Sequence, residues 1–160
     1  MASFPRPPEL EAHPFVPDVD TEIAALREHR QARGVPERAP DRLLLATWNV
    51  ANFDIQHREP AHFDLIAEMV SWFDIVALQE IRDDLTGLLA LKSRLPGGWA
   101  MVFSEAGGND ERQAFLWDTA RVRLGEKIGK LAVPYQRLGT AFGTDLSAFD
   151  RTPYLSLIHI

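Results

Sequence analysis

The sequence predicts an α/β fold, and three observations carry the prediction. An apolar run of strand length, Leu43-Leu44-Leu45-Ala46-Thr47-Trp48, comes first. A stripe at helical spacing follows, Phe63, Ile66, Val70 and Phe73, and then a second short apolar run, Ile75-Val76-Ala77-Leu78. Strand–helix–strand order implies a crossover between parallel strands of one sheet, usually right-handed. The composition fits: 160 residues with 46% hydrophobic and 25% charged make one ordinary globular domain. A chain of this size buries about two-thirds of its unfolded surface without needing a disulfide or a structural metal.

The elements follow in order. Residues 1–40 form a proline-rich N-terminal arm holding seven of the eleven prolines, which favours extended, linker-like chain. One short helix interrupts it. Asp20 or Thr21 caps that helix, Ile23 and Leu26 share a face, Gly34 ends it, and Arg27, Glu28, Arg30 and Arg33 read as a solvated face. The domain proper is assigned to residues 41–160. Pro60 suits the first turn of the helix between the two strands. A further helix begins at Asp83 or Asp84, presents Leu85, Leu88, Leu89 and Leu95 on one side, and stops at Pro96-Gly97-Gly98. Trp99 to Phe103 and Ala114 to Trp117 read as strands, with weaker candidates at Val122-Arg123-Leu124 and Lys130 to Val133. The four tryptophans, Trp48, Trp72, Trp99 and Trp117, read as core, and Gly107-Gly108-Asn109 as a turn.

Several function classes are excluded at once. Cysteine is absent, so there is no disulfide framework, cysteine–zinc site or thiol nucleophile. The formal charge of -6 argues against binding nucleic acid by bulk charge alone. It is compatible with an enzyme that meets one phosphate with a local cation and a few arginines. No run approaches the roughly 18 apolar residues of a membrane span. The N-terminus lacks the apolar stretch of a secretory signal, so the expected location is cytoplasmic.

The candidate chemistry sits at the ends of the two strands. Asn49 directly follows the first run, and Glu80 follows the second after Gln79. If the strands neighbour each other, both side chains reach the carboxyl edge of the sheet, where α/β proteins commonly bind ligands. An amide oxygen beside a carboxylate is the beginning of a magnesium site, since magnesium takes hard oxygen ligands, keeps waters and accepts substrate phosphate.

At Thr47-Trp48-Asn49-Val50 and Leu78-Gln79-Glu80-Ile81-Arg82-Asp83 the chain resembles the endonuclease/exonuclease/phosphatase superfamily, which includes pancreatic-type deoxyribonuclease, abasic-site endonucleases, inositol polyphosphate phosphatases and sphingomyelinases. Glu111-Arg112-Gln113-Ala114-Phe115-Leu116-Trp117-Asp118 resembles the family's Glu-Arg followed by an apolar strand, and Phe149-Asp150-Arg151-Thr152-Pro153 its Arg-x-Pro. Each motif is short, and their order and spacing together carry the likeness. It spans Leu43 to Tyr154 and matches the first half of the family's domain.

The resemblance implies the first half of a four-layer α/β sandwich, two packed β-sheets flanked by helices. It implies a metal-dependent phosphodiesterase: an endonuclease or exonuclease hydrolysing DNA or RNA, with magnesium, or manganese in its place, as cofactor. The alternative within the same family is a phosphatase or phosphodiesterase on phospholipid or inositol phosphate. Carried over residue by residue, Glu80 binds the cation and Asn49 lies beside it, touching a second metal position or the phosphate. Arg82 reaches substrate phosphate with a guanidinium fork. Glu111 orients a catalytic histidine.

The chain also departs from the family. The partner histidine, the Asp-x-Asn motif and the terminal Asp-His pair belong to the family's second half and have no match here. None of His13, His29, His57, His62 and His159 lies in a matching context, and Asn109-Asp110 stand where nuclease members often carry a tyrosine. Leu155-Ser156-Leu157-Ile158-His159-Ile160 resembles the translated read-through of a sequencing adapter and falls where the family has an apolar strand. The chain therefore reads as a fragment, inactive by itself, of an active parent; a non-catalytic truncated remnant is the reading of another class. Ordinary readings stand beside these roles. Glu80 is also what a solvated strand end looks like, and asparagine at position 49 suits a turn. Arg82 has Asp83 and Asp84 as neighbours, Glu111 and Arg112 would make a surface pair, and His57 and His62 read as a surface and a helix-end residue.

Overall fold

The computed structural model describes residues 18–53, 58–106, 110–130 and 154–159. Outside them lie the prolines before residue 18, His13, His57, the Gly107-Gly108-Asn109 turn, residues 131–133 and the Phe149 to Pro153 motif. The architecture is mixed α/β: α1 (Val19–Ala32), β1 (Leu45–Phe53), α2 (Pro60–Ser71), β2 (Ile75–Ile81), α3 (Thr86–Arg94), β3 (Trp99–Phe103), β4 (Arg112–Asp118), β5 (Arg123–Lys130) and β6 (Tyr154–His159). A four-stranded sheet has the order β1-β2-β4-β3, and β5 pairs with β6 in a second, two-stranded sheet. Among the described residues no helix is long and apolar enough to cross a membrane.

The β1–α2–β2 crossover forms as the pattern predicts, with β1 and β2 parallel neighbours from Leu45↔Ile75 to Asn49↔Gln79. Pro60 stands at the start of α2, where the absent N–H costs nothing, and His62 Nδ1 accepts from the Glu59 N–H at 2.9 Å, so His62 is a helix-end residue. Phe63, Ile66, Ala67 and Val70 of α2 and Leu88, Leu91 and Leu95 of and after α3 pack on one face of the sheet, against Val76, Leu78, Ala114, Leu116 and Trp99. Alternation sends Ile75 and Trp117 to the other face, where Val122 is buried with them and Leu124 of β5 packs alongside. Trp72, Trp99 and Trp117 are buried, while Trp48 is partly buried against the core. Leu116 is completely buried in β4, an interior strand of the sheet. Leu116→Ala is expected to cost about 3 kcal/mol, within the range for a core leucine whose cavity cannot collapse. A urea midpoint that moves by less than a third of that equivalent would show the site relaxes.

Several boundaries differ from expectation for identifiable reasons. The cap of α1 is Asp18, whose Oδ1 accepts from the Thr21 N–H at 3.3 Å, not Asp20 or Thr21. Gly34 follows that helix at φ 66, as expected of a terminating glycine. The basic residues of α1 are not simply solvated. Arg27 forms a two-pronged pair with Glu68 of α2 at 2.8 and 2.9 Å, and Arg30 lies over the Trp72 ring and donates to Pro36 O. The Arg27 hydrogen bond is the main reason the Glu68 carboxyl titrates below its ordinary range. Helix α3 starts at Thr86, because the Asp84 carboxylate accepts from both the N–H and the hydroxyl of Thr86. That phase turns Leu89 outward (54% exposed) and puts Leu91 in the core. Strand β5 takes in Arg123 and Leu124 of the first weak candidate and reaches Lys130, where the second begins.

A buried carboxylate ties the amino end of the sheet to the chain that precedes it. Asp74 is fully buried and accepts from the Leu44 N–H at 2.8 Å, Arg38 Nε at 2.8 Å and Arg121 Nε at 3.2 Å. Arg38 also bonds Asp118, and Arg121 Nη2 donates to the carbonyls of Ala39 and Arg42, each at 2.6 Å. Residues 38–44, the start of β2 and the turn after β4 therefore share one polar knot.

Candidate functional site

Asn49 and Glu80 do not follow their strands. Both lie inside them, since β1 runs on to Phe53 and β2 to Ile81. What the apolar runs end at is an irregularity in the pairing. Register is regular through Asn49↔Gln79 and resumes at Phe53↔Ile81. On the other side of β2 it breaks between Leu78↔Ala114 and Ile81↔Arg112, leaving one extra residue in β2. Leu78 and Ile81 are both completely buried, so Gln79 and Glu80 occupy the two positions between them. This is a β-bulge, the device by which a sheet re-aims a side chain near its edge. Glu80 carries it with φ 61, and Ala51 on the neighbouring strand has φ 51. Each left-handed, non-glycine residue costs about 1–2 kcal/mol, and such strain persists where surrounding packing over-determines it. Here Phe53, buried edge-on against Phe63 with its centroid 5.9 Å away, anchors the chain beyond Ala51.

The bulge brings the two side chains together. Asn49 Nδ2 donates to Glu80 Oε1 at 2.6 Å, a short charge-assisted contact. Asn49 Oδ1 accepts from the Ala51 N–H at 2.9 Å. Next to them, Gln79 Nε2 donates to Thr47 Oγ1 at 2.8 Å and to Ala77 O at 3.2 Å, joining the strands beside the bulge. Arg82 sits one residue beyond β2, and its N–H donates to Phe53 O at 3.3 Å. Glu111 sits one residue before β4, next to the Ile81↔Arg112 pair. All four predicted residues thus lie at one end of the sheet, with Asn49 and Glu80 in direct contact. Asp83 is held by Arg112, which also donates to Ser104 O at 2.9 Å and lies over the Phe103 ring.

The donor chemistry suits a hard cation bound sparingly. A carboxylate, half-buried at a sheet edge, matches magnesium's habit of taking one or two protein carboxylates and completing its shell with water and phosphate. Among the described residues no three His, Cys, Asp or Glu side chains gather into an all-protein cage. A groove of about 590 Å³, lined by Trp117, Thr119, Ala120, Arg121, Val122 and Leu124 among others, opens at the opposite end of the sheet. Its Arg121 is committed to the Asp74 knot, Arg123 is the other cation on its lining, and no carboxylate lines it, so it offers no comparable site for a cation.

Sequence reading missed two features. The Gln79–Thr47 strut follows from the register, because Gln79 stands opposite Asn49 and Thr47 lies on the same side of β1. The Asp74 knot had one signal, a lone acid directly before a buried strand. No family model matches the chain, and no curated protein matches it.

Proposed function

We propose that the chain carries the metal-binding half of a magnesium-dependent phosphodiesterase of the endonuclease/exonuclease/phosphatase type, whose parent protein hydrolyses DNA or RNA in the cytoplasm. The observation that carries this reading is the Asn49–Glu80 contact on adjacent parallel strands at the edge of the sheet. Two residues 31 positions apart in sequence are in direct contact, which supports the reading. The whole fold, on this reading, is a four-layer sandwich of which the β1-β2-β4-β3 sheet and its helices form two layers. The packing of Val122 and Leu124 on the sheet's second face supports it.

Magnesium held there would supply charge neutralisation at the phosphate and stabilise a pentavalent transition state. The chain's own residues do the rest. Glu80 supplies the anionic oxygen that holds the ion, Asn49 sets the direction of that carboxylate, and Arg82 offers phosphate a planar fork. Glu111, beside β2, holds the histidine that accepts or returns the proton, a residue the parent supplies. The net charge of -6 is consistent with recognition through one cation and a few arginines.

The 160-residue chain is itself the test object for the metal. Titrated with Mn²⁺ and followed by the loss of free-ion electron paramagnetic resonance, it is expected to bind one ion with an affinity on the order of millimolar, as one carboxylate and waters provide. Glu80→Gln should abolish that binding while leaving the fold intact by circular dichroism. Unchanged binding in the variant would remove Glu80 from the site.

A further inference from the structure

We infer that Asn49 is a positioning residue for the Glu80 carboxylate and not itself a ligand of the cation, an inference that rests on the phosphodiesterase reading above. The orientation of the Asn49 amide is fixed from both ends. The Ala51 N–H can donate only to the amide oxygen, at 2.9 Å, and a carboxylate oxygen can accept only from the amide nitrogen, at 2.6 Å. Turning the amide over would make both contacts repulsive, so the assignment of nitrogen and oxygen is dictated by the network. The atom aimed at Glu80 is therefore a donor without a lone pair for a metal. The oxygen, which a hard cation would want, is turned to the backbone of β1.

The backbone is built to keep it so. Ala51 at φ 51 closes the turn that brings its N–H back to Asn49, and Glu80 at φ 61 swings its side chain toward the same spot from β2. The Gln79–Thr47 hydrogen bond pins the two strands beside the bulge. A ligand-orienting partner of this kind commonly changes metal affinity ten- to a hundredfold when removed. It acts by presenting the ligating carboxylate in one direction.

Two measurements on the 160-residue chain test this. In the metal-free, ¹⁵N-labelled protein the two Asn49 Hδ2 protons should be widely separated in chemical shift, and Glu80→Ala should collapse that separation. In crystals grown with Mn²⁺, located by its anomalous signal, the ion should sit on Glu80 with Asn49 Oδ1 still on the Ala51 N–H. Asn49→Ala should then raise the Mn²⁺ dissociation constant about tenfold. Asn49 Oδ1 in direct contact with the ion, at about 2.0–2.3 Å, or an Asn49→Ala variant with unchanged affinity, overturns the positioning role. Absence of Mn²⁺ from Glu80 alongside an intact Asn49 signature overturns the phosphodiesterase reading and leaves the clamp itself standing.

Discussion

Asp74→Ala is expected to destabilise the fold by about 3 kcal/mol, the largest loss from any single polar change in the described chain. Removing one partner of a buried ion pair costs about 3–5 kcal/mol, because the charge left behind has lost its compensation. The low end applies here. Asp74 is 0% exposed, but Arg38 and Arg121 keep 30% and 25% of their side chains in water and can recruit it when the carboxylate goes. The Leu44 N–H at the mouth of β1 loses its acceptor as well. Against a total stability of about 5–15 kcal/mol for a domain, the loss leaves the chain marginal. The pH dependence has a definite sign. Burial alone would raise the Asp74 carboxyl, but the Leu44 N–H, Arg38 and Arg121 outweigh it and hold the group below the ordinary aspartate range. A depressed carboxyl contributes stability that is complete above the unfolded value of about 3.9 and is lost as pH falls through the folded value. The unmutated chain's stability to urea should therefore fall below about pH 4, and Asp74→Asn should flatten that acid limb while costing less than alanine at pH 7. An acid limb unchanged in the variant would mean other carboxylates drive acid unfolding.

The reading of the sequence succeeded where local pattern alone decides structure and stopped where three-dimensional neighbours decide it. The β1–α2–β2 crossover was legible because its apolar spacings change period between strand and helix, and Pro60 marks the join. Asn49 and Glu80 were legible as neighbours because parallel adjacent strands bring their carboxyl ends to one edge. The bulge was not legible. Left-handed backbone is ordinarily advertised by glycine or asparagine, and here it falls on Ala51 and Glu80. Nothing in an Ala or a Glu codes for it; the buried positions of Leu78, Ile81 and Phe53 impose it from outside. Leu89, expected on the packed side, faces outward and Leu91 takes a core position, because the phase of a nine-residue helix depends on where Asp84 and Thr86 start it. The Asp74 knot joins residues up to 82 positions apart, Ala39 to Arg121, and its one local signal, an acid directly before a buried strand, does not name the partners that acid meets. The interior place of β4, between β2 and β3, likewise emerges only from the sheet.

Glu80→Gln in the parent protein is expected to lower magnesium-dependent cleavage of plasmid DNA by about a thousandfold or more. The substitution preserves shape. A glutamine oxygen still accepts from Asn49 Nδ2, so the bulge and the 2.6 Å contact have no reason to open. What disappears, on the proposed reading, is the negative charge that would hold the cation. A metal ion supplies several kcal/mol of charge stabilisation to a phosphoryl transition state, and removing one preorganised electrostatic stabiliser typically costs a hundred- to a thousandfold. Losing a bound ion would remove more than one such interaction, because it would take away both the charge on the phosphate and the Lewis acid. Glu80→Asp keeps the charge but shortens the reach by a methylene, so it should retain partial activity and respond to raised magnesium where Glu80→Gln does not. EDTA should reduce the wild type to the level of Glu80→Gln. The same comparison on inositol phosphates and phospholipid head groups separates the two substrate classes, since the metal requirement is common and only the preferred substrate differs. On the proposed reading the 160-residue chain should stay near background on every substrate, because the general acid–base groups that the resemblance implies, worth about a hundred- to ten-thousandfold each, have no match in it. Undiminished cleavage by Glu80→Gln, with magnesium still required, would place the cation elsewhere in the parent and leave the Asn49–Glu80 contact as a structural joint between β1 and β2.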